Sequence, residues 1–441
     1  MRSRTLLGLL LLVAAGACFA GIVIVRQGPP SGGDTAPLTA VTSALADGHL
    51  HAAAANDGLP NPPGYALLTA PAVAAFPTLV GAPAWCAQPG RVSGLRAQSQ
   101  YAHDPAFGTD VSECGSPRRL ANGDLAPSLP PWYRGQGLLG VLAWLVMAAG
   151  GLVLLRAGGA ATPARMAALV ALLAFLPAAS SAIVQLFHPQ DIVSLGLAFL
   201  AMAQVLRRRF VVAGLLFGAA VLTKQYAVLL FLPALVVAPD ARARVRLAGA
   251  TFVVFVAGIA PFFLSAPRST IENLSGFSAG GAVTGATVLS LAGWSTTVVS
   301  AVARDVPVLF ATGVCLWAYT RRGTWLQRPA ALLALGLACV GSRLVFESVI
   351  FPYYLLATSV VFFMLDLVAQ RSPHRSLAWC AGSAFFVAVH PGNQAVNAIG
   401  TLTFAVLAVA AGILEVIRLS SAGAEVEEPT VALAPGGLSH L

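Results

Sequence analysis

Apolar runs of roughly 15–25 residues recur along most of the chain, and each is about the length needed to cross the hydrocarbon core of a bilayer. They lie near 136–155, 166–187, 190–206, 210–224, 226–239, 247–264, 306–320, 329–346, 353–369, 376–390 and 394–417, after a first run that opens the sequence. A water-soluble core of 441 residues cannot absorb that pattern. Only 10% of the residues are charged, against about 25% in soluble domains, and the mean hydropathy is +0.79. The expected fold is an all-α polytopic membrane protein, a single domain over 1–420 with about twelve spans (10–13).

The opening stretch, MRSRTLLGLLLLVAAGACFAGIVIV, has the basic start, apolar body and small residues before Cys18 of a signal peptide. The apolar run continues past the cysteine to Val25, which makes a retained first helix the preferred reading and cleavage or lipidation the alternative. Arg2 and Arg4 put its start in the cytoplasm.

The net charge of +9 comes almost wholly from arginine, since Lys224 is the only lysine, and the Ala, Gly and Arg richness suggests a high-GC bacterial genome. The arginines gather in short turns: Arg156 with Arg165, Arg207 to Arg209, Arg242 with Arg244 and Arg246, Arg321-Arg322 with Arg328, Arg371 with Arg375, and Arg418. With the N-terminus inside, the positive-inside rule makes all of these cytoplasmic, provided 283–303 is re-entrant or interfacial. Orientation therefore explains the basic balance better than nucleic acid does. The expected location is a plasma membrane, with both termini cytoplasmic.

The opposite face then receives the long segment 26–134, the His188-Pro189-Gln190-Asp191 corner, the Lys224-Gln225-Tyr226 corner, the 265–305 segment, the Glu347-to-Tyr354 corner and His390. Within 26–134, the stretch Tyr65 to Val80 is apolar but broken by Pro71 and Pro77, which predicts helices lying at the interface. Cys86 and Cys114 share the same outer segment, where a disulfide or two free thiols are both open. Residues 421–441 form a polar tail expected to be disordered.

Several residues at that face can carry chemistry, and each has a plainer alternative. Asp34, just past the first helix, suits a general base at the membrane surface and equally the N-cap of a helix starting near Thr35. His188 and Asp191 suit a polar cavity, or a helix start with Pro189 in the first turn and the acid at the favourable end of the dipole. Lys224 sits between two apolar runs. An ammonium there can hold a phosphate, or snorkel to the interface. Arg343 and Glu347, four apart, share a helix face and can pair or present a cation and an acid to a cavity. Tyr353 and Tyr354 suit an interfacial belt or a sugar-stacking platform. There is no P-loop and no CxxC pair, His49 and His51 are a weak pair for zinc, and nothing in the sequence requires a metal or cofactor.

HPQD, a helix ending in RRR, then AGLLFGAAVLTKQYAVLLFLPAL resembles the polyprenol-phosphate-dependent mannosyltransferase-like membrane proteins of the GT-C superfamily. The group in question is glycosyltransferase family 87, with the actinobacterial phosphatidylinositol-mannoside α-mannosyltransferases. FESVIFPYYLLATSVVFFMLDL resembles that group's aromatic-Pro-Tyr-Tyr helix, and Asp34, TAPLTAVTSALADGHL and Asn61-Pro62-Pro63-Gly64-Tyr65 resemble its first outer loop. The likeness is loose but spans most of 1–420. It departs at Asn61, where the family carries an aromatic, and at about 82–131, which reads as an outer insertion.

The resemblance implies a GT-C-like bundle and sugar transfer from a polyprenyl-phosphate sugar to a hydroxyl of a lipid or envelope glycan. Asp34 would be the catalytic base, Lys224 with Arg343 would hold the phosphate, and His188, Asp191, Gln225, Glu347, Tyr353 and Tyr354 would line the substrate cavity. Rival expectations are a transporter or lipid-linked-sugar flippase, and a non-catalytic partner of envelope assembly.

Overall fold

A computed structural model describes residues 2–26, 35–55, 62–81, 131–185, 187–275, 296–347, 352–371, 374–389 and 394–424. Asp34, Cys86, Cys114 and His390 lie outside them, as do residues 425–441. The helices are α1 (Arg2–Arg26), α2 (Thr35–Ala46), α3 (Leu50–Ala54), α4 (Gly64–Ala75), α5 (Pro77–Val80), α6 (Pro131–Ala157), α7 (Pro163–Phe175), α8 (Pro177–Ser180), α9 (Pro189–Leu206), α10 (Phe210–Thr223), α11 (Val228–Val237), α12 (Ala241–Ser265), α13 (Pro267–Ser275), α14 (Thr296–Thr320), α15 (Pro329–Phe346), α16 (Leu355–Val368), α17 (His374–Val389) and α18 (Gln394–Ala424). No strand occurs among the described residues.

Six helical segments among the described residues are long and apolar enough to cross a membrane: Gly135–Ala157, Pro189–Leu206, Ala241–Ser265, Ala301–Thr320, Pro329–Phe346 and Leu402–Ala422. A seventh arises if α7 and the bent piece after it are one span. Apart from α1, which has 25 residues, the remaining apolar runs form shorter helices. At 1.5 Å per residue the 14 residues of α10 reach about 21 Å, short of the ~30 Å hydrocarbon core. The long apolar stretch around Lys224 is thus two short helices meeting at a corner. Residues 296–303, expected to be re-entrant or interfacial, instead continue α14 without a break. The last helix likewise continues to Ala424, into the first residues of the expected tail.

Helices α9, α15 and α16 are buried almost all round and form the centre of the bundle. Around them, α1, α12, α14, α17 and α18 turn apolar side chains outward, including Leu264 at 82% exposure, Phe252, Leu309, Phe385 and Leu414. Apolar surface on that scale is stable against lipid tails and not against water. The protein is therefore a membrane-embedded, all-α polytopic bundle.

Close packing of α6 and α9 depends on two glycines. A Cβ added to Gly150 would meet the Gly196 carbonyl oxygen at 2.4 Å, and one added to Gly196 would meet the Met147 nitrogen at 2.7 Å. Small residues that let backbones touch are the usual means of association where lipid supplies no hydrophobic drive. Gly150→Val is expected to lower stability by about 3 kcal/mol through overpacking. Gly249→Ala, on the exposed face of α12 with open space around it, should be neutral or slightly stabilising. Thermal unfolding in detergent reads both, and equal melting temperatures would refute this view of the contact.

Proline shapes the approach to the polar corners. Pro177 has no N–H, so the Leu173 carbonyl loses its helical partner. The Trp144 indole donates to that oxygen at 3.1 Å. The chain bends by 51° there, passes through a π-helical turn at Ser181–Gln185, and places buried Phe187 at φ +52° immediately before His188. A left-handed bulky residue is an outlier that the packing around it must hold in place.

The arginine-bearing turns share one end of the bundle. Gly8 lies against Arg156, and Gly158 against Pro329 and Val368. Arg244 donates to the last carbonyls of α11, Leu235 at 3.2 Å and Ala238 at 2.9 Å, and meets Arg322 at the Tyr319 hydroxyl. Arg371 and Arg418 both pair with buried Glu415. From that end α10 and α15 run to the other, where α9, α11 and α16 begin. There α4 packs so tightly that Gly64 touches the backbone of Leu222 and Thr223, and the Leu79 backbone of α5 meets Gly135 of α6. The expected Tyr65-to-Val80 stretch is thus α4 and α5, with Leu68, Phe76 and Leu79 exposed.

Candidate functional site

At the end away from the arginines, four corners of the bundle converge. Pro189 starts α9, and His188 stands at the N-cap position without capping it through its side chain, so the imidazole is left for other contacts. Lys224 is extended (φ −155°, ψ 128°) between α10 and α11, the conformation that breaks the helix. Arg343 lies in the last turn of α15, one turn before Glu347 ends it. Tyr353 and Tyr354 occupy the 3-10 turn that opens α16.

The side chains form a closed circuit. Lys224 Nζ lies 3.4 Å from Asp191 Oδ2, and His188 Nδ1 is 3.7 Å from the same oxygen. The His188 ring stacks on Tyr353 with centroids 4.1 Å apart, and Tyr353 meets Tyr354 edge-on at 4.5 Å. The Arg343 guanidinium lies 4.9 Å from the Tyr354 ring centre and 5.1 Å from that of Tyr226, a doubled cation–π contact. Its Nε donates to Glu347 Oε2 at 2.9 Å. The Tyr226 hydroxyl donates to the Asp191 backbone oxygen at 2.6 Å, which closes the circuit.

These groups are buried. Lys224 is 6% exposed, Asp191 4% and Glu347 2%. Charges so placed are stable only when paired, and here two cations face two carboxylates. Lys224 is turned in to Asp191 rather than snorkelling outward, and Tyr353 is buried rather than belonging to an exposed belt. Asp191 Oδ2 and Gln190 Oε1 accept no hydrogen bond among the described residues, although both are sealed from solvent. Asp191 Oδ2 is held by its ion pairs with Lys224 and His188, which leaves the Gln190 carbonyl oxygen as the buried acceptor that a water or ligand would satisfy.

Of the residues named from the sequence, His188, Asp191, Lys224, Arg343, Glu347, Tyr353 and Tyr354 come together. Gln225 is half-buried beside Lys224, outside the circuit. Two further participants are Tyr226, which joins Asp191 to Arg343, and Gln190, whose Nε2 lies 3.1 Å from His188 Nδ1. Adjacency to Lys224 and membership of HPQD were their only signals in the sequence.

Fold and site together define a polytopic α-helical membrane protein with a buried, ion-paired polar cluster at one end of its bundle. No protein-family model matches the chain, and comparison with curated proteins finds no match.

Proposed function

We propose that this chain is a membrane glycosyltransferase that moves a sugar, mannose being the first candidate, from a polyprenyl-phosphate donor to a hydroxyl of a lipid or cell-envelope glycan. The supporting observation is the convergence of Lys224, Arg343, Asp191 and His188 in one buried cluster at the end of the bundle opposite the arginine turns. By the positive-inside rule the arginine end is cytoplasmic, and the cluster is then extracytoplasmic, in a plasma membrane.

In the scheme, Asp34 takes the proton of the acceptor hydroxyl and the oxygen attacks the sugar carbon. The bond from that carbon to the phosphate oxygen breaks, and polyprenyl phosphate leaves with the electron pair. One base and direct displacement invert the configuration. Lys224, exchanging Asp191 for phosphate, and Arg343 offset the charge that grows on the leaving group, which matters most where water is excluded. The rings of Tyr353 and Tyr354 offer a face to the sugar. The lipid tail of the leaving group stays in the bilayer, which accounts for an enzyme embedded there.

A carrier of lipid-linked sugars is the second reading. The bent segment from α7 to the π turn, leading straight to His188, is the broken-helix feature that favours it. Membranes holding the protein, given polyprenyl-phosphate mannose labelled in the sugar, separate the two. Label appearing in an acceptor product is the expected result. Label crossing the bilayer still attached to its donor, with no product, would overturn the transferase reading.

A further inference from the structure

A groove lies between α2, α3 and the Pro62-Pro63 turn on one side and α12 and α13 on the other. It is an open groove rather than an enclosed cavity, and Val41, Ala54, Ala66, Ile259, Phe262 and Leu274 supply much of its apolar wall. Thr270 also lines it. This residue is 4% exposed, and its Oγ1 has no hydrogen-bond partner among the described residues. A buried hydroxyl without a partner is a standing deficit that a bound acceptor would remove.

The surroundings narrow the occupant. Phe263, Leu264 and Ile271, next in sequence to the wall residues, are exposed and apolar, so the cleft adjoins a surface suited to hydrocarbon. On α13, Arg268 and Glu272 are outward and paired with each other at 2.9 Å, as on a helix at headgroup depth. Among the described residues lining the cleft none is a cation, so a phosphate would be uncompensated by them. A neutral acceptor carried on a long apolar chain fits instead. At the rim, the His51 ring nitrogen Nδ1 meets the Ser265 carbonyl at 3.0 Å and holds α3 against the end of α12.

We infer that this cleft binds one acyl chain of an ester-linked membrane lipid, with Thr270 Oγ1 donating to the ester carbonyl. The site is separate from the sugar-transfer reading and stands whether or not that reading survives.

Full-length protein in nanodiscs of phosphatidylglycerol and phosphatidylethanolamine, doped with a diacyl phospholipid bearing a diazirine in its acyl chain, tests it. Photolabelling is expected on Ile259, Phe262 and Leu274 above the level at lipid-facing Phe252, and unlabelled diacyl lipid should compete. Thr270→Val, nearly isosteric, should cut that labelling about fivefold, the worth of one neutral hydrogen bond. A diether probe without the carbonyl should label wild type as weakly as the diacyl probe labels Thr270→Val. Ala66→Trp, which fills the cleft, should abolish specific labelling, and should that variant fail to fold, Thr270→Val still decides. Equal labelling of wild type and Thr270→Val would overturn the assignment. Competition by polyprenyl phosphate but not by diacyl lipid would overturn it too.

Discussion

Asp34→Asn is expected to lower sugar transfer by about a hundredfold to ten-thousandfold, the usual contribution of a positioned general base. Asparagine keeps the shape and one carbonyl oxygen but cannot accept the proton, so helix α2, which starts at Thr35, should form as before and the melting temperature should hold. If Asp34 serves instead as the N-cap of α2, asparagine caps about as well as aspartate and both activity and stability should survive the change. The experiment is the labelled-donor assay on membranes with matched protein levels. Near wild-type transfer by Asp34→Asn, with transfer lost in Asp191→Asn, would move the base to Asp191 and sink the role given to Asp34.

The second large effect is on stability. Asp191→Asn leaves Lys224 at 6% exposure without the carboxylate charge that lies 3.4 Å from it, and breaking a buried pair in this way costs about 3–5 kcal/mol. Lys224→Met should be comparably damaging, because it strands Asp191. The double variant Asp191→Asn with Lys224→Met removes both charges while keeping most of the volume. It should therefore lie well above either single variant, close to wild type. Unfolding followed in mixed micelles measures all four proteins. Additive losses in the double variant would show that the two groups do not act as a pair.

Much of the helical layout was readable from local signals. Pro189 suits the first turn of a helix because its missing N–H is harmless there, and α9 begins at Pro189. The pairing of Arg343 with Glu347 followed from four-residue spacing on one helix face. The arginine turns were assigned to one side by charge alone, and their mutual contacts at Tyr319 and Glu415 fit that assignment. The runs 210–224 and 226–239 meet at a corner in the sequence, and the extended backbone at Lys224 divides α10 from α11 there.

Other features had no local signal. Cys315 and Cys339, unremarkable in two separate apolar runs, have sulfurs 4.0 Å apart where α14 meets α15. Tyr226 was visible as a neighbour of Lys224, but its ring on Arg343 and its hydroxyl on the Asp191 carbonyl depend on how three helices meet. The same is true of Thr270, an ordinary residue of a short helix that lines one groove with residues of α2, α3 and α12.

The sequence alone determined that the chain is a helical membrane protein, which end of each helix carries the basic turns, and which corners hold the rare charges. Those properties follow from periodicity, run length and the cost of charge in hydrocarbon, all of which act over a few residues. Only the tertiary structure decided that Lys224 turns inward to Asp191, that Arg343 is held between Tyr226 and Tyr354, and that Thr270 lines an apolar groove with residues of α2, α3 and α12. Such contacts join residues far apart in the chain, and their energy depends on distance and burial that no local pattern encodes.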